Sequence, residues 1–425
     1  MIAADVADPV LDRITEQDLV ELVLHITSVE TPPGEEGPGA QVIYEWLADN
    51  DFSPRAVGMF ENRFNIFAAV RGSGRGPALA FNSHIDTWMR RDDHLIWRDP
   101  GNDDFHIGRE DGDLLIGNPV TNDKGPMAAW MIAAKAIRDA GVKLDGSIYL
   151  TMVAGEIGQE PVDEFQGERY LSKEVGARYL VNHTPRANFC VCAEATAFRK
   201  GWIEAGKAFY KITVFGGPVL YTPYVARPYP AGEHPNAIVR ALPLIQRLEE
   251  WALEYERRHT YESPGGTVVP RVNVSAIRAG QPWLVLQNPE VCMLYLDIRT
   301  VPGQDGGAIR HELGAMLEEL GLEGTVEQFV DRPGYEAHGI EPLSNALDEA
   351  HRHEFDSDCE IATPPECSMW RDHNVFNEAG IPALTYGPPG VAGAGMFAVS
   401  KQDLVHASRV YALTALAMCA AGSSG

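Results

Sequence analysis

The chain is short of positive charge, of cysteine motifs and of long apolar runs. Its 425 residues carry 35 Lys and Arg against 60 Asp and Glu, a net charge of −25. Such a surface repels phosphate backbones and anionic lipid headgroups, which argues against nucleic-acid and membrane partners. A small anionic substrate is not excluded, because a local Arg or a metal can dominate a pocket. Of the six cysteines, Cys190 and Cys192 form a C-x-C pair and Cys292, Cys359, Cys367 and Cys419 are scattered. With no C-x-x-C, buried free thiols in a reducing compartment are a simpler reading than a disulfide framework. No apolar run reaches the roughly 18 residues of a membrane span. The opening MIAADVADPVLDRITEQD has neither a basic region nor an apolar core, so no signal peptide is expected. The expected location is the cytoplasm.

What is present reads as α/β. The runs at Asn65–Val70, Ala78–Asn82, Ser147–Val153 and Phe189–Cys192 predict strands, the apolar ones buried on both faces. Helices are predicted from Thr15, which can cap its own helix, to about Ile26, and over Pro126–Ile137. After about Gly201 the pattern changes to strand, helix, strand, strand, helix, strand, over Phe209–Val214, Asn236–Arg257, Val272–Ile277, Val291–Ile298, Ala308–Leu320 and Thr325–Val330. That order is ferredoxin-like. The α/β style returns with a strand at Pro382–Tyr386 and a helix at Lys401–Ala420, with Ser400 and Asp403 as its capping box. The expected organisation is a discontinuous α/β domain, residues 1–204 and 333–425, with an inserted α+β domain at 205–332. The terminal GSSG reads as a frayed tail.

Four acidic or imidazole positions fall at or just after predicted strand ends, where open α/β sheets build their sites. They are His84-Ile85-Asp86, Asp123 in NPVTNDKGP, Glu156 in VAGEIGQE and Glu194 in CAEAT. In an extended segment, residues two apart share a face, and a metal-bound His is often oriented by a nearby carboxylate. Singly, each has a plainer reading: a structural His, a helix-capping Asp, a solvated Glu. Together, one His and several carboxylates match a hard or borderline divalent metal.

The segments SHIDT, NDKGPMAAWMIAAKAI, VAGE, AEAT, GEHPNAI, VNVSAIRAG, CMLYLDIRTVPG and GIPALTYGPPG follow one another in order. In these the sequence resembles the metal-dependent aminoacylase and carboxypeptidase G family, which includes acetylornithine deacetylase and succinyl-diaminopimelate desuccinylase. The resemblance implies a zinc-peptidase-like catalytic domain and an inserted lid through which the chain dimerises. It also implies two metals roughly 3.5 Å apart. It places His84 as a ligand, Asp86 as its partner, Asp123 as the bridging carboxylate and Glu194 as a ligand of the first metal alone. The family's Glu-Glu pair falls on Glu156, as general base, and on Ile157. A one-residue slip would instead put Gly155 at the base and Glu156 at the ligand. The family's last His ligand has no counterpart in GPPGVAGAGMFAVSKQD.

Both missing ligands serve the same second metal, so one divalent ion is expected, held by His84, Asp123 and Glu194, with Mn preferred and Zn or Fe as alternatives. Glu160, Asp163, His373 and His406 are the residues able to rebuild a second site, though each reads more plainly as solvated or structural. Leu220 stands where the family often has an active-site His, and His234 is the nearby substitute. One metal and one base suffice to break a C–N bond. The altered set is similar to that of the family's divergent aminohydrolases, which implies hydrolytic deamination of an aromatic amine such as 5-nitroanthranilate to 5-nitrosalicylate and ammonia. Arg299 and Arg371 are candidates to pair a substrate carboxylate, Trp88 and Trp370 to face a ring, and His234 and Asn236 to line the site. The alternatives are an N-acyl-amino-acid amidohydrolase or dipeptidase, and a non-catalytic binding protein.

Overall fold

A computed structural model of the chain describes residues 4–88, 90–229, 232–393 and 396–421. The terminal GSSG lies outside them. The chain divides into two compact units, Met1–Trp202 with Ala337–Ala362 and Arg371–Gly425, and Ile203–Glu336 with Thr363–Trp370.

The larger unit is built on a six-stranded sheet. Its order is Arg55–Phe60, Arg63–Val70, Ser147–Val153, Ala78–His84, Phe189–Ala193, Ala383–Tyr386. The first two strands run antiparallel to their neighbours and the rest are parallel. Ala78–His84 is buried along its whole length, which explains why its sequence shows no alternation. Leu79 and Phe81 enter the large core formed with helices Gly125–Asp139 and Lys401–Cys419. Ala80 points to the other face, with Cys190, Cys192 and Phe376. Helices therefore cover both faces. The ends of the parallel strands emerge at His84, Val153 and Ala193, so the residues just beyond them share one edge of the sheet.

The helix starts follow their caps. Thr15 Oγ1 accepts the Asp18 amide at 3.1 Å, and Ser400 Oγ accepts the Asp403 amide at 2.9 Å while donating to Asp403 Oδ2 at 2.7 Å. All six cysteines are free.

The smaller unit holds a four-stranded antiparallel sheet in the order Val272–Ala279, Val291–Thr300, Gly206–Phe215, Gly324–Arg332. Tyr210, Ile212 and Val214, two apart, point to the face packed by helices Ala237–His259 and Gly306–Glu319. Its second segment lies within the range that the sequence reading assigns to the α/β domain. There, Thr363 and Glu366 cap a short helix at Pro364–Cys367, and Ser368 Oγ accepts the Val269 amide at 2.9 Å. Among the described residues, no helix is long and apolar enough to cross a membrane.

Candidate metal centre

Two segments that leave the edge of the six-stranded sheet, at His84 and Glu194, meet Asp123, which comes from the turn before helix Gly125–Asp139. Each residue offers one ligand atom, and these atoms all lie within 4.8 Å of one another. The three residues are 2%, 0% and 8% exposed, so no ligand is free to relax into water. His84 is the last residue of its strand. Its Nδ1 lies 2.8 Å from the Asp86 carbonyl and 3.6 Å from the Asp86 carboxylate. The main chain of Asp86, more than its side chain, therefore orients the ring. The carboxylate is occupied otherwise: it accepts the Glu156 amide at 3.0 Å and the Ile157 amide at 2.8 Å, tying the two strand ends together. Nε2 of His84 faces Asn122 Oδ1 at 3.0 Å.

Asp123 follows a cis Asn122–Asp123 peptide and lies two residues before helix Gly125–Asp139. Both of its carboxylate oxygens are buried without a hydrogen-bond partner. Burial pushes its pKa well above the usual range, and Glu194 adds to the shift; nearby Ser83 and the His84 backbone offset only part of it. Glu194 is likewise raised by burial, against the pull of Arg371, whose Nε lies 3.5 Å from Glu194 Oε2. At His84, burial lowers the pKa, but Glu156, Asp86, Glu194 and Asp372 together hold it above its ordinary value. A buried carboxylate with no donor, beside a second carboxylate, is costly unless a cation joins them. One imidazole and two carboxylates are a donor set for a hard or borderline divalent ion. The residues fit a metal.

Glu156 follows strand Ser147–Val153 and is held by Lys173, whose Nζ also lies 2.9 Å from Asp372 Oδ1. The positions named as able to rebuild a second site have other contacts. Glu160 accepts Ser172 Oγ at 2.9 Å, and His406 Nδ1 meets Glu354 at 2.7 Å. Asp163 lies on a turn with φ +47°. His373 is buried, and its pKa is driven down to about 3 by burial, Arg371 and Lys173. Among the described residues, His84, Asp123 and Glu194 are the one group able to hold an ion.

The sequence matches the family described as Peptidase family M20/M25/M40 over residues 80–417. The chain belongs to this peptidase family. A probable succinyl-diaminopimelate desuccinylase of Staphylococcus epidermidis is 29% identical over 143 residues, 34% of each chain, and this M20-family chain spans about a third of the length of the first curated relatives it matches. A dipeptidase of Saccharomyces cerevisiae shares the fold with a TM-score of 0.71 at 12% identity, over 97% of this chain and 98% of that one. A dinuclear metal-binding peptidase of the same family from Bacillus subtilis does so with a TM-score of 0.62 at 15% identity, over 95% and 98%.

The remaining candidates separate by unit. Trp88, 46% exposed, starts an aromatic group two residues past Asp86, with Trp97 at 5.3 Å and Phe397 at 6.0 Å. Trp370 belongs to the smaller unit and packs in it, with Lys207 and Arg332 over its ring and Nε1 3.4 Å from the Pro333 carbonyl. Arg299, in that unit, bonds to Asp297 at 2.8 Å. Asn236 caps helix Ala237–His259 through Ile238, and His234 Nδ1 accepts the Asn236 amide at 3.0 Å. The Leu220 amide donates to Asn288 Oδ1 at 2.7 Å. Sequence reasoning missed Lys173 and Asp372. Neither YLSKEVG nor WRDHNVF carries a metal-ligand spacing.

Proposed function

We propose that this chain is a single-metal hydrolase that breaks a C–N bond, and that its substrate is an aromatic amine bearing a carboxylate, such as 5-nitroanthranilate. The observation that carries the reading is the single ligand group among the described residues, with the Glu156 carboxylate on the segment bound to Asp86. The family's second set of ligands has Ile157 in it, which offers no donor atom. A bound divalent ion supplies hydroxide near neutral pH. In this reading Glu156 takes the proton of the attacking water and returns it to the departing nitrogen. In the deamination, a C–O bond forms at the ring carbon and the C–N bond breaks, with a para nitro group holding the charge between the two events. Water and the amine thus give phenol and ammonia. Arg371, whose Nε lies 3.5 Å from Glu194 Oε2, is the candidate to pair the substrate carboxylate. The exposed Trp88 supports an aromatic substrate, since a ring can stack on its face.

A second reading, an N-acyl-amino-acid amidohydrolase or dipeptidase, is favoured by the desuccinylase relative. Elemental analysis after dialysis against a weak chelator tests the centre, with about one equivalent per chain expected. Ammonia release from nitroaminobenzoates tests the substrate class. Two equivalents, with turnover only of acylated amino acids, would return the chain to the second reading.

A further inference from the structure

The smaller unit holds cations that its own carboxylates do not neutralise. In a chain with 60 acidic and 35 basic residues, an arginine ordinarily finds an acid. Among the described residues, Arg227 and Arg240 pair with none, and the exposed Glu233, between them in sequence, forms no ion pair with either. Arg240 is half-buried in the first turn of helix Ala237–His259. That turn carries no acid, and the helix dipole already makes it positive, so a guanidinium there is unfavourable without an anion. The side chain is fixed all the same. Its Nε donates to the His234 carbonyl at 2.7 Å and Nη1 to the Phe215 carbonyl at 3.1 Å, which leaves Nη2 for a ligand or water.

His234 adds a donor of fixed identity. Its Nδ1 accepts the Asn236 amide at 3.0 Å, so the proton of the neutral ring is on Nε2. Burial lowers its pKa, and Arg227 and Arg240 lower it further, so the ring keeps that neutral form. Tyr229, two residues after Arg227, packs against the ring at 4.9 Å.

We propose that Arg227, His234 and Arg240 form a binding site for a small organic carboxylate in the smaller unit. The donors select the ligand. A carboxylate has two oxygens with about four lone-pair sites. The guanidinium fork of Arg227, Nη2–H of Arg240 and Nε2–H of His234 match that number and supply the opposite charge. A neutral amide of the same shape has one acceptor oxygen and no charge. The inference does not depend on the deamination reading, since the carboxylate of an acylated amino acid meets the same donors.

The test is isothermal titration calorimetry of the metal-loaded full chain with benzoate, benzamide and inorganic phosphate. Wild type is expected to bind benzoate, more weakly as salt is raised, and not benzamide. Arg227→Ala and Arg240→Gln are each expected to weaken benzoate about tenfold or more, the order of one charge-assisted hydrogen bond, with the Mn(II) stoichiometry unchanged. Arg227 is exposed and unpaired, so its variant carries the test should Arg240→Gln, which loses two bonds to main-chain carbonyls, fail to fold. Benzoate affinity equal to wild type in Arg227→Ala and Arg240→Gln would overturn the proposal and place the carboxylate elsewhere. Equal affinity for benzoate and benzamide would overturn it too, because the ring and not the carboxylate would then be held. Phosphate bound as tightly as benzoate, and weakened by the same variants, would overturn the choice of a carboxylate. Failure of the deamination reading shows separately, as no ammonia release from nitroaminobenzoates while benzoate binding is intact.

Discussion

At the scale of single residues, burial sets the chemistry, and the sequence does not print burial. His351 shows this away from the metal centre. Its Nδ1 lies 2.8 Å from the Tyr386 hydroxyl, and its ring packs on Phe355. Burial lowers its pKa; Asp348 and Asp358 oppose this, and Lys200 and Arg352 reinforce it. The folded ring therefore stays neutral at a pH where the unfolded one is already charged. Its contribution to stability is complete above about pH 6.5 and is lost as pH falls toward the folded pKa. Urea denaturation at pH 7.5 and 5.5 should show a smaller loss of stability for His351→Gln than for wild type. An equal loss would mean that the ring charges freely in the fold. The same limit explains which residues of the centre were legible. His84, Glu156 and Glu194 were legible because each sits at or just past a strand end within a segment of family likeness, and Asp123 because it precedes a helix within one. Lys173 and Asp372 were not, because a lysine and an aspartate in loops look solvated until the fold encloses them.

At the scale of elements, legibility followed pattern strength. Ser147–Val153 has the bounds that its apolar run predicts, and helix Lys401–Cys419 starts at its Ser-Asp cap. The helix Glu341–Phe355 was not legible, because its buried stripe of Leu343, Ala346, Leu347 and Ala350 is half alanine and its other face is charged. The segment Thr363–Trp370 carries no sign of the unit it joins, since its attachments, Ser368 to the Val269 amide and the Trp370 ring under Lys207 and Arg332, follow no periodic pattern. Caps, by contrast, are local and can be priced one at a time. Ser400→Ala removes the acceptor for the Asp403 amide and should cost about 1 kcal/mol, because one of the helix's unpaired amides loses its partner. The measurement is the chemical denaturation midpoint at constant m-value. A change below a few tenths of a kcal/mol would mean that water or Asp403 itself replaces the bond.

At the scale of the molecule, the two units differ in what they ask of a metal. The larger unit holds four buried carboxylates near the strand ends of its sheet, Asp86, Asp123, Glu194 and Asp372, and the half-buried Glu156, with Lys173 and Arg371 as cations that contact them. The smaller unit has its own core, built on Tyr210, Leu248, Trp251 and Leu313, and no such group among its described residues. An ion that binds only the folded larger unit stabilises it by mass action, about 2.7 kcal/mol at a hundredfold excess over Kd. Stripping the metal with a chelator should therefore lower the melting temperature of the larger unit by several degrees and leave a transition of the smaller unit where it was. Asp123→Asn separates the two terms that metal loss combines. It removes a ligand, so its melting should no longer respond to added Mn(II). It also replaces a buried carboxyl that has no donor, so without metal the variant should melt no lower than metal-free wild type. A calorimetric scan of both proteins, with and without chelator, gives all four values. If metal-free Asp123→Asn melts well below metal-free wild type, the Asp123 carboxylate has a partner in the protein and is not waiting for a cation.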